Sequence, residues 1–104
     1  MNCYLIDIRF IRPFESFGAV VTAHRAYLQQ GYDQGWLLLS GPRGDKRGGI
    51  AIARAQDVAE LKAFFAHDPY HLNGMAEYDF VAFTGAKHQP WLSDWINGND
   101  TAHG

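Results

Sequence analysis

Cysteine is nearly absent from this sequence, with Cys3 alone among 104 residues. A single thiol excludes an intramolecular disulfide and a structural zinc centre built on several thiolates. Long apolar runs are missing too. No stretch approaches the roughly 18 residues that a membrane-spanning helix needs, and the first residues lack the basic-then-apolar pattern of a secretory signal. Positive charge is not in excess. Nine Lys and Arg stand against eleven Asp and Glu, a formal net charge of −2, whereas nucleic-acid binding normally needs a basic surplus on one face. There is no internal repeat and no low-complexity tract. The expectation is a cytoplasmic protein with neither a nucleic acid nor a membrane as partner.

What is present describes one folding unit. Hydrophobic residues make up 47% and charged residues 19%, a globular rather than disordered balance. A chain of this length forms one two-layer core. An aromatic content of 14% supplies bulky packing or pocket surface.

The order of elements follows from periodicity. Cys3 to Phe10 alternates, with Tyr4, Ile6, Ile8 and Phe10 on one face of a strand and Cys3, Leu5, Asp7 and Arg9 on the other. Glu15 to about Gln34 reads as a helix whose apolar stripe contains Phe17, Val20, Val21, His24, Tyr27, Leu28 and Gly31. Trp36 to Ser40 is a short apolar run, read as a buried strand, and Ile50 to Ala53 is the next strand. Asp57 is placed to cap a second helix, with Glu60 three residues on and Val58, Leu61, Phe64 and Phe65 inward. That helix ends near Asp68-Pro69, because the residue before proline is pushed out of helical geometry. Glu77 to Phe83 forms the last strand. The tail from residue 86 to 104 is read as an extension with a short helix and a disordered end, leaving residues 1 to 85 as the domain.

The resulting order, β-α-β-β-α-β, is the α+β ferredoxin-like plan. Right-handed crossovers give a four-stranded antiparallel sheet of order 4-1-3-2 with both helices on one face. The bare face then invites a homodimer. The same topology gathers one edge of the fold: the end of the first strand, the start of the first helix, Ser40-Gly41-Pro42, and Asp68-Pro69-Tyr70. His24 is expected about two and a half turns into its helix. It and Asp68 both point inward there from separate elements. A carboxylate bonded to one imidazole nitrogen fixes the tautomer and raises the basicity of the other, so such a pair can move protons near neutral pH. Periodicity leaves a purely structural histidine–carboxylate pair equally open, and Asp68 alone also reads as a turn former.

His24, Gly35 and the run Leu37-Leu38-Leu39-Ser40-Gly41-Pro42 resemble a pattern of the YCII-related (YciI-like) proteins. Gly48-Gly49-Ile50, Asp68-Pro69-Tyr70, Gly74 and Tyr78 follow in the order of that family, and the similarity runs from about Met1 to Phe83. The resemblance implies a ferredoxin-like fold of the dimeric α/β-barrel type, a homodimer, and an active site centred on a histidine and an aspartate, here His24 and Asp68. One branch of the family is similar to enzymes that remove chloride from chlorinated hydroxyquinols. Most members have no assigned reaction. Two features depart from the pattern: the compact basic loop after Pro42, and a tail with Trp91 and Trp95.

Other constellations carry less. His67 and His71 are four apart, but Pro69 between them breaks a regular helix face, so they read as solvated and no metal is expected. The loop from Arg43 to Gly49 reads as a solvated hairpin; folded over the site, Arg43 would meet an acidic substrate. Arg9 is a surface partner of Asp7, or a pocket residue if its face looks toward the helices. The candidate site is therefore His24 and Asp68 for catalysis, with Arg9, Ser40, Gly41, Pro42, Pro69 and Tyr70 for substrate. The expected function is cofactor-free proton abstraction or elimination on a small, aromatic or acidic compound. The alternative is a non-catalytic module that binds a small molecule or a partner copy. A third reading, heme or oxygen chemistry of related dimeric-barrel monooxygenases, requires a heme absorption band.

Overall fold

In the computed structural model, which describes residues 1–100, the alternating first segment becomes strand β1, Asn2–Phe10. The expected disordered end falls partly on residues 101–104, which lie outside the described residues. Tyr4, Ile6 and Ile8 are buried on one face of β1. The remaining strands are β2 (Leu37–Pro42), β3 (Gly48–Ala55) and β4 (Ala76–Phe83). The sheet order is β2-β3-β1-β4, all neighbours antiparallel, as the sequence predicts.

Two helices, α1 (Val20–Asp33) and α2 (Val58–Phe65), cover the Tyr4/Ile6/Ile8 face. Ala51 and Ala53 face Ile6 and Tyr4 across the β1–β3 ladder and are fully buried; such small side chains leave room for large ones from above. The Tyr27 hydroxyl donates to the Phe64 carbonyl at 2.7 Å and ties the two helices together. Asp57 caps α2 through the Ala59 amide, and Leu61, Phe64 and Phe65 form its buried side.

Three elements differ from their sequence expectations. The first helix begins at Val20 rather than Glu15, because Gly18 sits at φ +55° and separates a short 3-10 turn, Phe14–Ser16, from α1. His24 therefore stands little more than one turn into α1, not two and a half. Strand β2 is an edge, not a buried strand. A bulge at Leu38 shifts its register, so Leu37 pairs with Ala53 whereas Leu39 pairs with Ile52. Leu37 enters the core and Leu39 turns to the other face, 56% exposed. The bulge also rotates Ser40 toward the helices, where its hydroxyl meets Tyr32 Oη at 2.6 Å. Finally, Asp68 does not end α2. It caps a separate short helix, α3 (Pro69–Leu72).

The tail turns back under the opposite face of the sheet. It contains a 3-10 turn, Pro90–Leu92, and helix α4 (Ser93–Asn97). Arg54, buried on that face, bonds the Gly35 and Trp95 carbonyls and the Asp100 carboxylate, and its guanidinium lies over the Trp95 ring. These contacts hold the tail against one end of the sheet. Beyond them Leu39, Ile50 and Val81 are exposed on the same face, with Leu5 and Ile52 half-buried among them.

Close packing at the β1–β3 ladder sets a sharp test. A Cβ on Gly48 would lie 2.0 Å from the Ile8 carbonyl oxygen, whereas one on Gly44 in the adjoining turn meets nothing within 4 Å. Gly48→Ala is expected to cost roughly 3 kcal/mol or more in urea unfolding. Gly44→Ala is expected to stay within about 1 kcal/mol of the parent.

Candidate active site

The centre of the site is a carboxylate with no exposure. Asp68 follows α2 on its core side, and Pro69 behind it fixes the turn into α3. Its Oδ1 accepts from the Tyr70 amide at 3.2 Å, the capping bond of α3, and lies 2.7 Å from His24 Nδ1. Its Oδ2 accepts from the Tyr78 hydroxyl at 2.6 Å. Three donors from α1, α3 and β4 thus satisfy both oxygens, the condition for burying such a group. Tyr78 is held firmly as the neutral phenol. Burial first, then its bond to Asp68 and that charge, push its pKa far above the ordinary 10.0.

His24 is fixed on two sides. Facing the Asp68 oxygen, Nδ1 carries the proton and donates. The imidazole lies flat on Tyr70, with centroids 3.7 Å apart and planes 5° from parallel. Tyr70 is itself wedged edge-on between Phe10 and Phe17, and burial raises its phenol pKa, with the Asp68 charge adding to the shift. The other imidazole nitrogen, Nε2, has no hydrogen-bond partner among the described residues, yet it is not sealed in the core. His24 forms part of the wall of a cavity of about 700 Å³ between α1 and the β2–β3 hairpin, a size suited to a small organic ligand.

The cavity gathers several of the candidate residues. Ser40, Gly41, Pro42 and Tyr70 line it with His24. Asp68 stands behind His24, outside the wall. Pro69 also does not reach the cavity; it is the first residue of α3. Arg9 is on the other face of the sheet, where it bonds Asp79 at 2.9 Å and Glu77 at 3.3 Å. Its pocket reading is corrected accordingly, since alternation along β1 places it opposite Ile8. Three residues of the basic loop, Arg43, Gly44 and Lys46, line the cavity, and Asp7 and Asp45 hold the Arg43 guanidinium. Arg25, Phe14 and Leu28 complete the wall. Sequence reasoning gave no role to Tyr78 or Arg25. Arg25 adjoins His24 in sequence, and Tyr78 falls on the inward face of β4, but neither signal names a partner.

Comparison with known proteins gives a consistent frame. The YCII-related domain matches residues 9–84, more than half of the chain. A 5-chloro-2-hydroxyhydroquinone dehydrochlorinase from Burkholderia phenoliruptrix AC1100, solved in complex with 2,5-dihydroxybenzoquinone, is similar in structure with a TM-score of 0.56. It is 24% identical, over 84% of this chain and 95% of that one. A structure described as an antibiotic biosynthesis monooxygenase has a TM-score of 0.56 and 16% identity, over 82% of this chain and 99% of that one. At these identities the two likenesses show a shared fold. No curated protein matches the chain.

Removing the Tyr78 hydroxyl tests how Asp68 is held. Tyr78→Phe leaves Oδ2 without its donor and is expected to lower stability at neutral pH by about 1–3 kcal/mol. The raised phenol pKa contributes stability that is full below the unfolded value of about 10 and is lost as pH rises above it. Stability of the parent should therefore fall more steeply above about pH 10 than that of Tyr78→Phe, by up to about 1.4 kcal/mol per pH unit. Urea unfolding between about pH 9 and 11 reads both effects.

Proposed function

This chain belongs to the YCII-related domain family, and we propose that it uses His24 and Asp68 for general acid/base chemistry on a small molecule bound in the cavity. The observation that carries the reading is the division of the imidazole: Nδ1 committed to a buried carboxylate, Nε2 unpaired at a cavity wall. In this role Nε2 takes a proton from the ligand, and Asp68 keeps the productive tautomer and stabilises the imidazolium that forms. In an elimination, the C–H electron pair becomes the new double bond and the leaving group departs with its own pair. A dehydrochlorinase among the structural neighbours makes chloride a candidate leaving group. Proton transfer of this kind needs no cofactor. Tyr70 is the floor on which the imidazole rests, and Ser40, Gly41 and Pro42 form the facing edge for the substrate.

A second reading is supported by the flat His24–Tyr70 stack and the full satisfaction of Asp68, which a purely binding pocket would also contain. In that reading the pair only shapes the cavity. The two separate on kinetics. With a compound that the protein turns over, His24→Ala and Asp68→Asn are each expected to lower kcat by roughly 10²–10⁴-fold. Asp68→Asn keeps an oxygen for the Tyr70 amide and for Nδ1 but removes the negative charge that stabilises the imidazolium. Unchanged rates in both variants would sink the mechanism and leave the binding reading.

We also propose that a second copy of the chain covers the apolar face formed by Leu5, Leu39, Ile50, Ile52 and Val81. Leu39 and Val81 are 56% and 53% exposed there, and an apolar sheet face of this kind marks an association surface. Sedimentation should show a dimer at concentrations on the order of 10 μM, as expected for an interface of standard size. Val81→Lys should shift it toward monomer; a monomeric parent protein overturns the assignment.

A further inference from the structure

The cavity beside His24 has an uneven distribution of charge. Three basic residues are among those that line it, Arg25, Arg43 and Lys46, and among the described residues no Asp or Glu does, although the chain as a whole carries a net −2. Arg43 is already held by Asp7 and Asp45. Arg25 and Lys46 are different: neither side chain makes a hydrogen bond or ion pair among the described residues. Arg25 lies close enough to Tyr70 for its charge to act on that phenol.

Lys46 adds an independent observation. It closes the β2–β3 turn, with its amide donating to the Arg43 carbonyl, at φ +61°. Among the described residues it is the single non-glycine with positive φ. The backbone there favours glycine, which has no Cβ to crowd the carbonyl oxygen, or asparagine, whose short polar side chain offsets that crowding with a local hydrogen bond. A lysine at this position opposes the local conformational preference at a residue that lines the cavity mouth, the pattern of strain retained at a functional site.

The rest of the wall is apolar and flat-sided. Ile8, Phe10, Phe14, Leu28 and the Tyr70 ring supply it, so the cavity offers an apolar body-site with two uncommitted cations at its margin. Resting on the reading of this cavity as the substrate site, we propose that the ligand is a planar aromatic carboxylate, its ring against Phe10, Phe14 and Leu28 and its anionic group bound by Arg25 and Lys46. Guanidinium and ammonium groups then make charge-assisted hydrogen bonds to the carboxylate. Arg25 and His24 adjoin on α1, so the anion is fixed at short range from the ring that moves the proton. Arg43, braced by two carboxylates, keeps the hairpin in place over the ligand.

The test compares salicylate with salicylamide, the same ring without the charge, by titration calorimetry on the full chain. The parent protein should bind the acid at least about tenfold more tightly than the amide, the scale of one charge-assisted contact. Arg25→Gln and Lys46→Gly should each reduce that preference about threefold or more while leaving the amide affinity within about twofold. Lys46→Gly should also melt no lower than the parent, since it relieves the left-handed residue. His24→Ala should keep the preference for the acid, which separates this proposal from the proton-transfer reading: loss of turnover speaks only to the latter. Equal affinity for acid and amide in the parent, including no measurable binding of either, overturns the proposal. So does an undiminished preference in both Arg25→Gln and Lys46→Gly.

Discussion

The burial of one carboxylate organises this molecule. Taking Asp68 out of water carries a penalty of several kcal/mol unless its oxygens are met by donors. Those donors come from a helix side chain (His24), a backbone amide in a neighbouring turn (Tyr70) and a strand hydroxyl (Tyr78). The Tyr70 amide is local, two residues on, but His24 and Tyr78 come from other elements, so the carboxylate is fully satisfied only when α1 and β4 dock against the turn into α3. The aromatic packing follows from this point. Tyr70 is anchored through its amide, His24 lies on its ring, and Phe10 and Phe17 close around its edges. A polar group that would weaken a core when unpaired here specifies how three elements meet.

Much of that arrangement was legible in the residues. The two-residue alternation of β1 identified the buried Tyr4, Ile6 and Ile8, and helical spacing put His24 on the inner stripe of α1. Asp57 announced the start of α2. Order and handedness then left a single sheet arrangement, the one observed. Family membership is likewise consistent with the ordered glycines, prolines and the Asp68-Pro69-Tyr70 turn.

What escaped the sequence was non-local. Gly18 read as one more residue of a helix, because a left-handed φ is invisible until the chain on both sides is placed. The bulge at Leu38 sits inside three consecutive leucines, which carry no periodicity to betray it. Its effect is large: it exchanges the faces of Leu39 and Ser40 relative to a regular strand. Arg9 was ambiguous because alternation divides a strand into two faces without saying which is covered; Glu77 and Asp79, on a strand almost 70 residues away in sequence, decide it. The Tyr78–Asp68 bond has the same character, a contact between elements that local pattern cannot propose.

The two halves of the cavity come from separate parts of the architecture. His24 and Tyr70 belong to elements locked into the core through Asp68, whereas Lys46, Arg43 and Gly44 belong to a tight turn at the sheet margin, joined to the body through β3. Insertions or exchanges in that turn alter the lining of the cavity without disturbing the buried hydrogen bonds beneath it. The architecture thus gives the fold evolutionary modularity: the buried His24–Asp68 pair can be inherited intact while lineages diverge in what the cavity admits, by rewriting about five residues of a hairpin.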